Sequence, residues 1–67
     1  MAAVNYRFYI LNRHEQIVGA EIVACDGTEE IERTAYAVLA KRIDSAVVEV
    51  WDRARPIYRA ERSKVAS

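Results

Sequence analysis

Few residues in this sequence of 67 are able to form covalent or metal cross-links. The single cysteine, Cys25, excludes an intrachain disulfide, and the single histidine, His14, leaves too few ligands for structural zinc. We therefore expect no metal and no cofactor. Because 52% of the residues are apolar and 30% are charged, residues 1–67 are expected to form one small folded domain. Small domains without cross-links are commonly stabilised by oligomerisation, so association is the first property to test.

An excess of charge of one sign is also absent. Ten Lys and Arg residues balance ten Asp and Glu residues, so no global field attracts nucleic acid or an anionic membrane. Acidic residues dominate positions 1–40 and basic residues dominate positions 41–67, so the charges of one copy are able to complement those of another. The simpler interpretation is that an acidic helix precedes an arginine-rich hairpin. No apolar run reaches the roughly 20 residues of a membrane span, and the first residues lack a signal-peptide pattern. We expect a cytoplasmic protein without a membrane partner.

Alternating apolar and polar residues predict two strands before a helix and two strands after it. The strands are expected at residues 4–11, 17–25, 46–52 and 56–62. Asp26 and Glu29 have the spacing of a capping box, with Thr28 as a rival N-cap, and the helix is expected to end near Ile43. Its buried stripe is predicted to comprise Ile31, Ala35, Val38 and Leu39.

These elements predict an α+β fold of the type β-β-α-β-β, with one helix on one face of a four-stranded antiparallel sheet. We expect the strand order 2-1-3-4, since it makes the most apolar strands central and leaves Pro56 on an edge. An order with strands two and three side by side in parallel is the alternative. Residues 62–67 are expected to form a flexible tail.

The register of the first hairpin follows from a three-residue loop over residues 13–15. Such a loop places Phe8 opposite Ala20 and pairs Arg7 with Glu21, which have opposite charges. A two-residue loop moves every side chain of one strand to the other face and loses that charge pair.

Three features resemble those of a known group of proteins. They are the aromatic opening strand, Tyr6-Arg7-Phe8-Tyr9, the short acidic helix after an Asp-containing loop, and the run Glu49-Val50-Trp51-Asp52-Arg53-Ala54-Arg55 before the last strand. All three are similar to those of short uncharacterised ββαββ proteins from alphaproteobacteria. The resemblance covers about residues 6–62. It implies the fold and a bacterial origin, and it carries no activity.

One helix covers only one face of such a sheet, and the other face is predicted to be too apolar for water. We expect this face to form a symmetric homodimer, in which two sheets pack together with their helices outside. Tryptophan and tyrosine are typical of the centres of protein interfaces. The predicted interface residues are Tyr9, Leu11, Ile17, Val23, Val47, Trp51 and Tyr58, with Cys25 and Ala60 on the same face.

A binding module for single-stranded nucleic acid is the alternative function. Trp51 and Tyr58 alternate with arginines in the closing hairpin, and stacking platforms beside cations are a common way to hold single strands. The candidate contacts are Arg53, Arg55, Arg59 and Arg62.

Catalysis is not expected. Cys25 and His14 lie at opposite ends of the second strand, too far apart for a nucleophile pair. His14, Asp44 and Ser45 are expected at the same end of the molecule, but no glycine-rich elbow accompanies the serine. We interpret them as a polar loop end.

Overall fold

The computed structural model describes residues 3–62 and confirms the α+β prediction. The sheet is antiparallel with the order β2-β1-β3-β4, so the alternative with two parallel central strands is wrong. The elements are β1 (Val4–Leu11), β2 (Ile17–Cys25), α1 (Thr28–Lys41), β3 (Val47–Asp52) and β4 (Arg55–Glu61). Of the predicted tail, residues 63–67 lie outside the described residues, whereas Arg62 lies within them.

The core lies between α1 and one face of the sheet. The four residues predicted for the buried stripe of α1 are all buried, at the spacing that places them on one side of a helix. They pack on Phe8 and Ile10 of β1 and on Val48 and Val50 of β3, which are fully buried. Alternation along each strand therefore sends the odd-numbered residues of β1 and β3 to the opposite face.

Both ends of α1 differ from the prediction. The N-cap is Gly27, at φ 154°, and the cap uses no side-chain hydrogen bond. Instead the Asp26 N–H donates to the Glu30 carboxylate at 2.5 Å, so the predicted capping box is wrong. The helix ends at Lys41. Within residues 3–62 no helix is long and apolar enough to cross a bilayer.

The first hairpin contains a one-residue bulge in β2. The loop is the predicted three-residue loop: the Asn12 N–H donates to the Gln16 carbonyl, and Leu11 pairs with Ile17. The next pair is Ile10 with Gly19, so Val18 is the extra residue and the register is displaced by one from there on. The predicted register is therefore wrong beyond the loop.

The closing hairpin has a matching irregularity in β4. Trp51 pairs with Pro56, whereas Val50 pairs with Tyr58, which leaves Ile57 as the extra residue. Each edge strand of the sheet thus carries one bulge. Since side chains alternate with a period of two, a bulge moves all following residues to the face opposite to the expected one.

Candidate functional site: the open face of the sheet

The face of the sheet opposite α1 is called the open face. It follows from the pairing of β1, whose Arg7, Tyr9 and Leu11 alternate with the core residues Phe8 and Ile10. Across the sheet these three positions pair with three residues of β2 and three of β3. The neighbours are Ile22, Ala20 and Ile17 on β2, and Trp51, Glu49 and Val47 on β3. Among residues 3–62, no helix or strand packs onto this face.

An aromatic pair occupies the centre of the open face. The rings of Tyr9 and Trp51 meet edge to face, with centroids 6.1 Å apart and an interplanar angle of 88°. The indole Nε1–H donates to Glu49 at 3.2 Å, which fixes the orientation of the tryptophan. Ile17 and Arg53 join these residues around a depression of about 330 Å³. The centre of the face is therefore an ordered, partly apolar hollow, and both aromatic residues are half-buried.

A cluster of charges lies beside the aromatic pair. The Arg59 guanidinium contacts Glu49 at 2.8 Å, Glu61 at 2.9 Å and Glu15 at 3.8 Å. The hydrogen bond with Glu61 raises the pKa of Arg59, and the nearby Glu49 and Glu15 charges add to this effect. One arginine neutralises only part of the charge of three carboxylates. This side of the open face therefore keeps a negative surplus.

The opposite corner of the open face is positive. Arg7 lies next to Trp51 and Ile22 in the sheet, and its guanidinium contacts the Tyr9 hydroxyl at 3.4 Å. The ion pairs within residues 3–62 do not include Arg7. The predicted pairing of Arg7 with Glu21 is wrong, because the bulge at Val18 places Ile22 opposite Arg7.

The predicted interface residues divide into three groups. Tyr9, Ile17 and Trp51 lie together on the open face. Leu11 and Val47 also lie there, but they are 6% and 8% exposed. The placement of Val23 and Tyr58 on the open face is wrong. Val23 pairs with Tyr6, Tyr58 pairs with Val50, and both side chains pack against the core. The two bulges cause this inversion, which also moves Cys25 and Ala60 into the core.

The predicted register, with Phe8 opposite Ala20, also places Ile22 on the helix side of the sheet, which is wrong: Ile22 lies on the open face with 68% of its surface exposed. Its exposure follows from the same displaced register. In the sequence, Ile22 stands between two alanines, Ala20 and Ala24, each two residues away.

The four arginines proposed for nucleic-acid contacts do not form one cationic surface. Arg59 is engaged by three carboxylates, as described above. Arg62 donates to the backbone carbonyls of Leu39, Arg42 and Ser45, so it holds the end of α1. Arg53 and Arg55 remain exposed at the turn between β3 and β4. The structure therefore leaves two of the four cations accessible.

The polar loop end predicted from the sequence exists as a depression of about 520 Å³ that includes His14, Asp44 and Ser45. Ser45 is 2% exposed, its hydroxyl donates to the Arg42 carbonyl at 2.6 Å, and it accepts from Arg62 at 3.0 Å. Since these bonds occupy the hydroxyl, Ser45 closes the turn after α1. His14 is exposed. Within residues 3–62 no three His, Cys, Asp or Glu side chains converge as metal ligands.

Two groups on the helix side of the sheet have shifted pKa values. Burial raises the pKa of the Cys25 thiol, partly offset by a hydrogen bond with Thr34. A hydrogen bond with Tyr36 of α1 raises the pKa of Tyr58 to about 12, with further contributions from burial and from the Glu32 charge. Tyr58 thus joins β4 to α1.

The chain matches no protein-family model, and neither a curated protein nor a solved structure is similar to it at a significant level. The resemblance to short alphaproteobacterial proteins stays a prediction. The function is therefore inferred from the surfaces themselves.

Proposed function

We propose that the chain is a homodimeric protein–protein interaction module that binds through its open face. The observation that supports this most directly is the Tyr9–Trp51 pair, which lines a depression with Ile17 on a face that α1 leaves uncovered. Large aromatic residues held in a fixed orientation are typical of the centre of a protein interface. The polar residues around the pair resemble the solvated rim of such a surface.

Charge complementarity favours a second copy as the partner. Arg7 is positive at one corner of the open face, and the Glu15, Glu49 and Glu61 cluster is negative at the other. A two-fold axis near the aromatic pair brings each positive corner over the negative cluster of the other copy. Opposite charges across an interface fix its orientation and speed association.

The mass in solution tests this proposal, by light scattering coupled to size exclusion at micromolar concentration. The wild-type chain is expected to be an oligomer, and Trp51→Glu is expected to halve its mass. Arg7→Glu changes an exposed residue and provides a second variant that keeps the core intact. Ile43→Glu is the matched control, since Ile43 is 98% exposed outside the open face. A monomeric wild-type chain contradicts the proposal.

The proposed module acts in the cytoplasm, where a free buried thiol such as Cys25 remains reduced. Binding of single-stranded nucleic acid has less support, because Arg59 and Arg62 are engaged within the fold. Catalysis has less support as well, because the Ser45 hydroxyl is occupied by structural hydrogen bonds.

A further inference from the structure

The two edge strands of the sheet differ in how well they are protected against pairing with a further strand. The edge strand β4 begins with Arg55 and Pro56 and carries the charges of Arg59 and Glu61, all of which discourage pairing with another strand. The other edge strand, β2, is nine residues long and contains no proline and one charged residue, Glu21. A long apolar edge of this kind is a template for a further strand.

The backbone groups that β2 presents to its free edge follow from the hydrogen bonds of β1. The Asn12 N–H donates to Gln16 on the β2 side, whereas the Leu11 carbonyl accepts from Ala46 on the β3 side. Successive residues of a strand direct their backbone N–H and C=O groups alternately to the two neighbouring strands. The even-numbered residues of β1 therefore form hydrogen bonds with β2.

The partners of those even positions on β2 have odd numbers, from Gly19 to Cys25. Their amides are used within the sheet. The N–H and C=O groups of Ala20, Ile22 and Ala24 therefore point to the free edge. Ile22 is 68% exposed there.

We propose that β2 pairs antiparallel with β2 of a second copy, about a two-fold axis at Ile22, and so joins two sheets into one of eight strands. The three residues whose backbone groups point to the free edge are symmetric about Ile22, with Ala20 and Ala24 two residues away on either side. A two-fold interface requires this kind of self-complementarity. In this register Ile22 meets Ile22 of the partner subunit, and each Ala20 lies opposite Ala24.

The neighbouring registers are less favourable. The proposed axis uses all three outward-facing residues of each copy and forms about six backbone hydrogen bonds. An axis at Glu21 places the two carboxylates directly opposite each other, which is destabilising. An axis at Val23 leaves Ala20 without a partner among the outward-facing residues. The edge thus specifies both the partner, a second copy, and the register.

This inference goes beyond the proposed function and does not depend on it, because edge pairing leaves the open face uncovered. If both surfaces are used, the assembly is a tetramer with two kinds of interface. The two must therefore be tested with different variants.

Cross-linking tests the register. Ile22→Cys is expected to form an intermolecular disulfide in oxidising buffer, because directly opposed residues of paired strands have Cα atoms within disulfide range. Ile17→Cys is the matched control: Ile17 lies on the same strand and is 63% exposed, but the proposed axis holds its two copies about 33 Å apart. The native Cys25 is 1% exposed and does not compete. Equal cross-linking of both variants overturns the proposal.

Removal of an edge donor tests the same interface by mass. Ala20→Pro deletes an outward-facing N–H and leaves Tyr9, Ile17 and Trp51 at the centre of the open face unchanged, so it is expected to halve the oligomer mass. Ala20→Ser keeps the N–H and is expected to keep the mass. Circular dichroism confirms that both variants are folded.

The outcomes separate the two proposals. If Ala20→Pro lowers the oligomer mass and Trp51→Glu does not, the result supports pairing through the β2 edge and contradicts the open-face dimer. The reverse result supports the open face and overturns the edge. A monomeric wild-type chain overturns both.

Discussion

Arg53 adopts a backbone conformation that favours glycine. It is the first residue of the two-residue turn between β3 and β4, and its φ is 61°. A left-handed conformation costs a residue with a Cβ roughly 1–2 kcal/mol. The short connection, which pairs Asp52 directly with Arg55, imposes this conformation on the chain.

Replacing Arg53 should therefore stabilise the fold. For Arg53→Gly we expect the free energy of unfolding in urea to rise by about 1 kcal/mol, since relief of the left-handed strain exceeds the added entropy of the unfolded chain. Ala54→Gly, in the same turn but without a positive φ, should lower it. Equal effects of the two substitutions would contradict the strain argument.

Position 19 requires a glycine because of a neighbouring side chain and not because of its backbone conformation. The Arg42 guanidinium, which donates to the Val18 carbonyl at 3.3 Å, lies in the space that a Cβ at Gly19 would enter. Arg42 thus covers β2 where α1 itself makes few contacts with that strand. A larger residue at position 19 would displace this guanidinium.

At the scale of elements, hydrogen bonds from Arg62 connect the end of α1 with the turn that leads into β3. Its guanidinium donates to three backbone carbonyls and to the Ser45 hydroxyl. The last carbonyls of a helix lack partners within the helix, so these bonds satisfy groups that would otherwise be unpaired.

The truncation Arg62→Ala should lower the free energy of unfolding by about 2–3 kcal/mol, because hydrogen bonds from a charged group contribute more than neutral ones. Chemical denaturation measures the change. The exposed Arg55 is the matched control, and Arg55→Ala should change stability by less than about 0.5 kcal/mol. A loss that is no larger for Arg62 would show that the helix end does not depend on this contact.

The contact between Tyr58 and Tyr36 joins β4 to α1 and predicts a pH dependence. Because the pKa of Tyr58 rises to about 12 in the fold, the folded state holds its proton more tightly than the unfolded state does. Stability should be independent of this group below about pH 10 and should fall as the pH rises from about 10 to about 12.

Tyr36→Phe removes the hydrogen-bonding hydroxyl and should lower the pKa of Tyr58. Phenolate absorbance at 295 nm during a pH titration measures this shift, and Tyr9→Phe, on the other face of the sheet, should leave the pKa of Tyr58 unchanged. An unaltered titration in Tyr36→Phe would exclude the hydroxyl contact as the cause.

At the scale of the whole molecule, 67 residues bury a limited core, and this makes association part of stability. The melting temperature should rise with protein concentration, because a partner that binds only the folded state stabilises it. A hundredfold increase in the concentration of that partner raises the free energy of unfolding by at most about 2.7 kcal/mol. Differential scanning calorimetry over that range measures the effect. A double variant, Ala20→Pro with Trp51→Glu, should melt at a temperature independent of concentration. Identical behaviour of wild type and double variant would contradict stabilisation by self-association.

Much of the fold is predictable from the sequence, whereas the candidate site is only partly so. The bounds of β1 and β2, the buried stripe of α1 and the strand order agree with the prediction. Tyr9, Ile17 and Trp51 lie on the predicted face, but Val23 and Tyr58 do not. The residues assigned to the wrong face of the sheet all lie beyond the bulge of their strand, at Val18 in β2 or at Ile57 in β4.

The sequence by itself determined where strands and helix form, since period and propensity are local properties of the chain. Only the tertiary structure decided which side chains share a face, because the extra residues at Val18 and Ile57 are fixed by pairing with a neighbouring strand. It likewise decided which backbone groups of β2 remain without a partner strand, since an edge exists only once the order of the sheet is set.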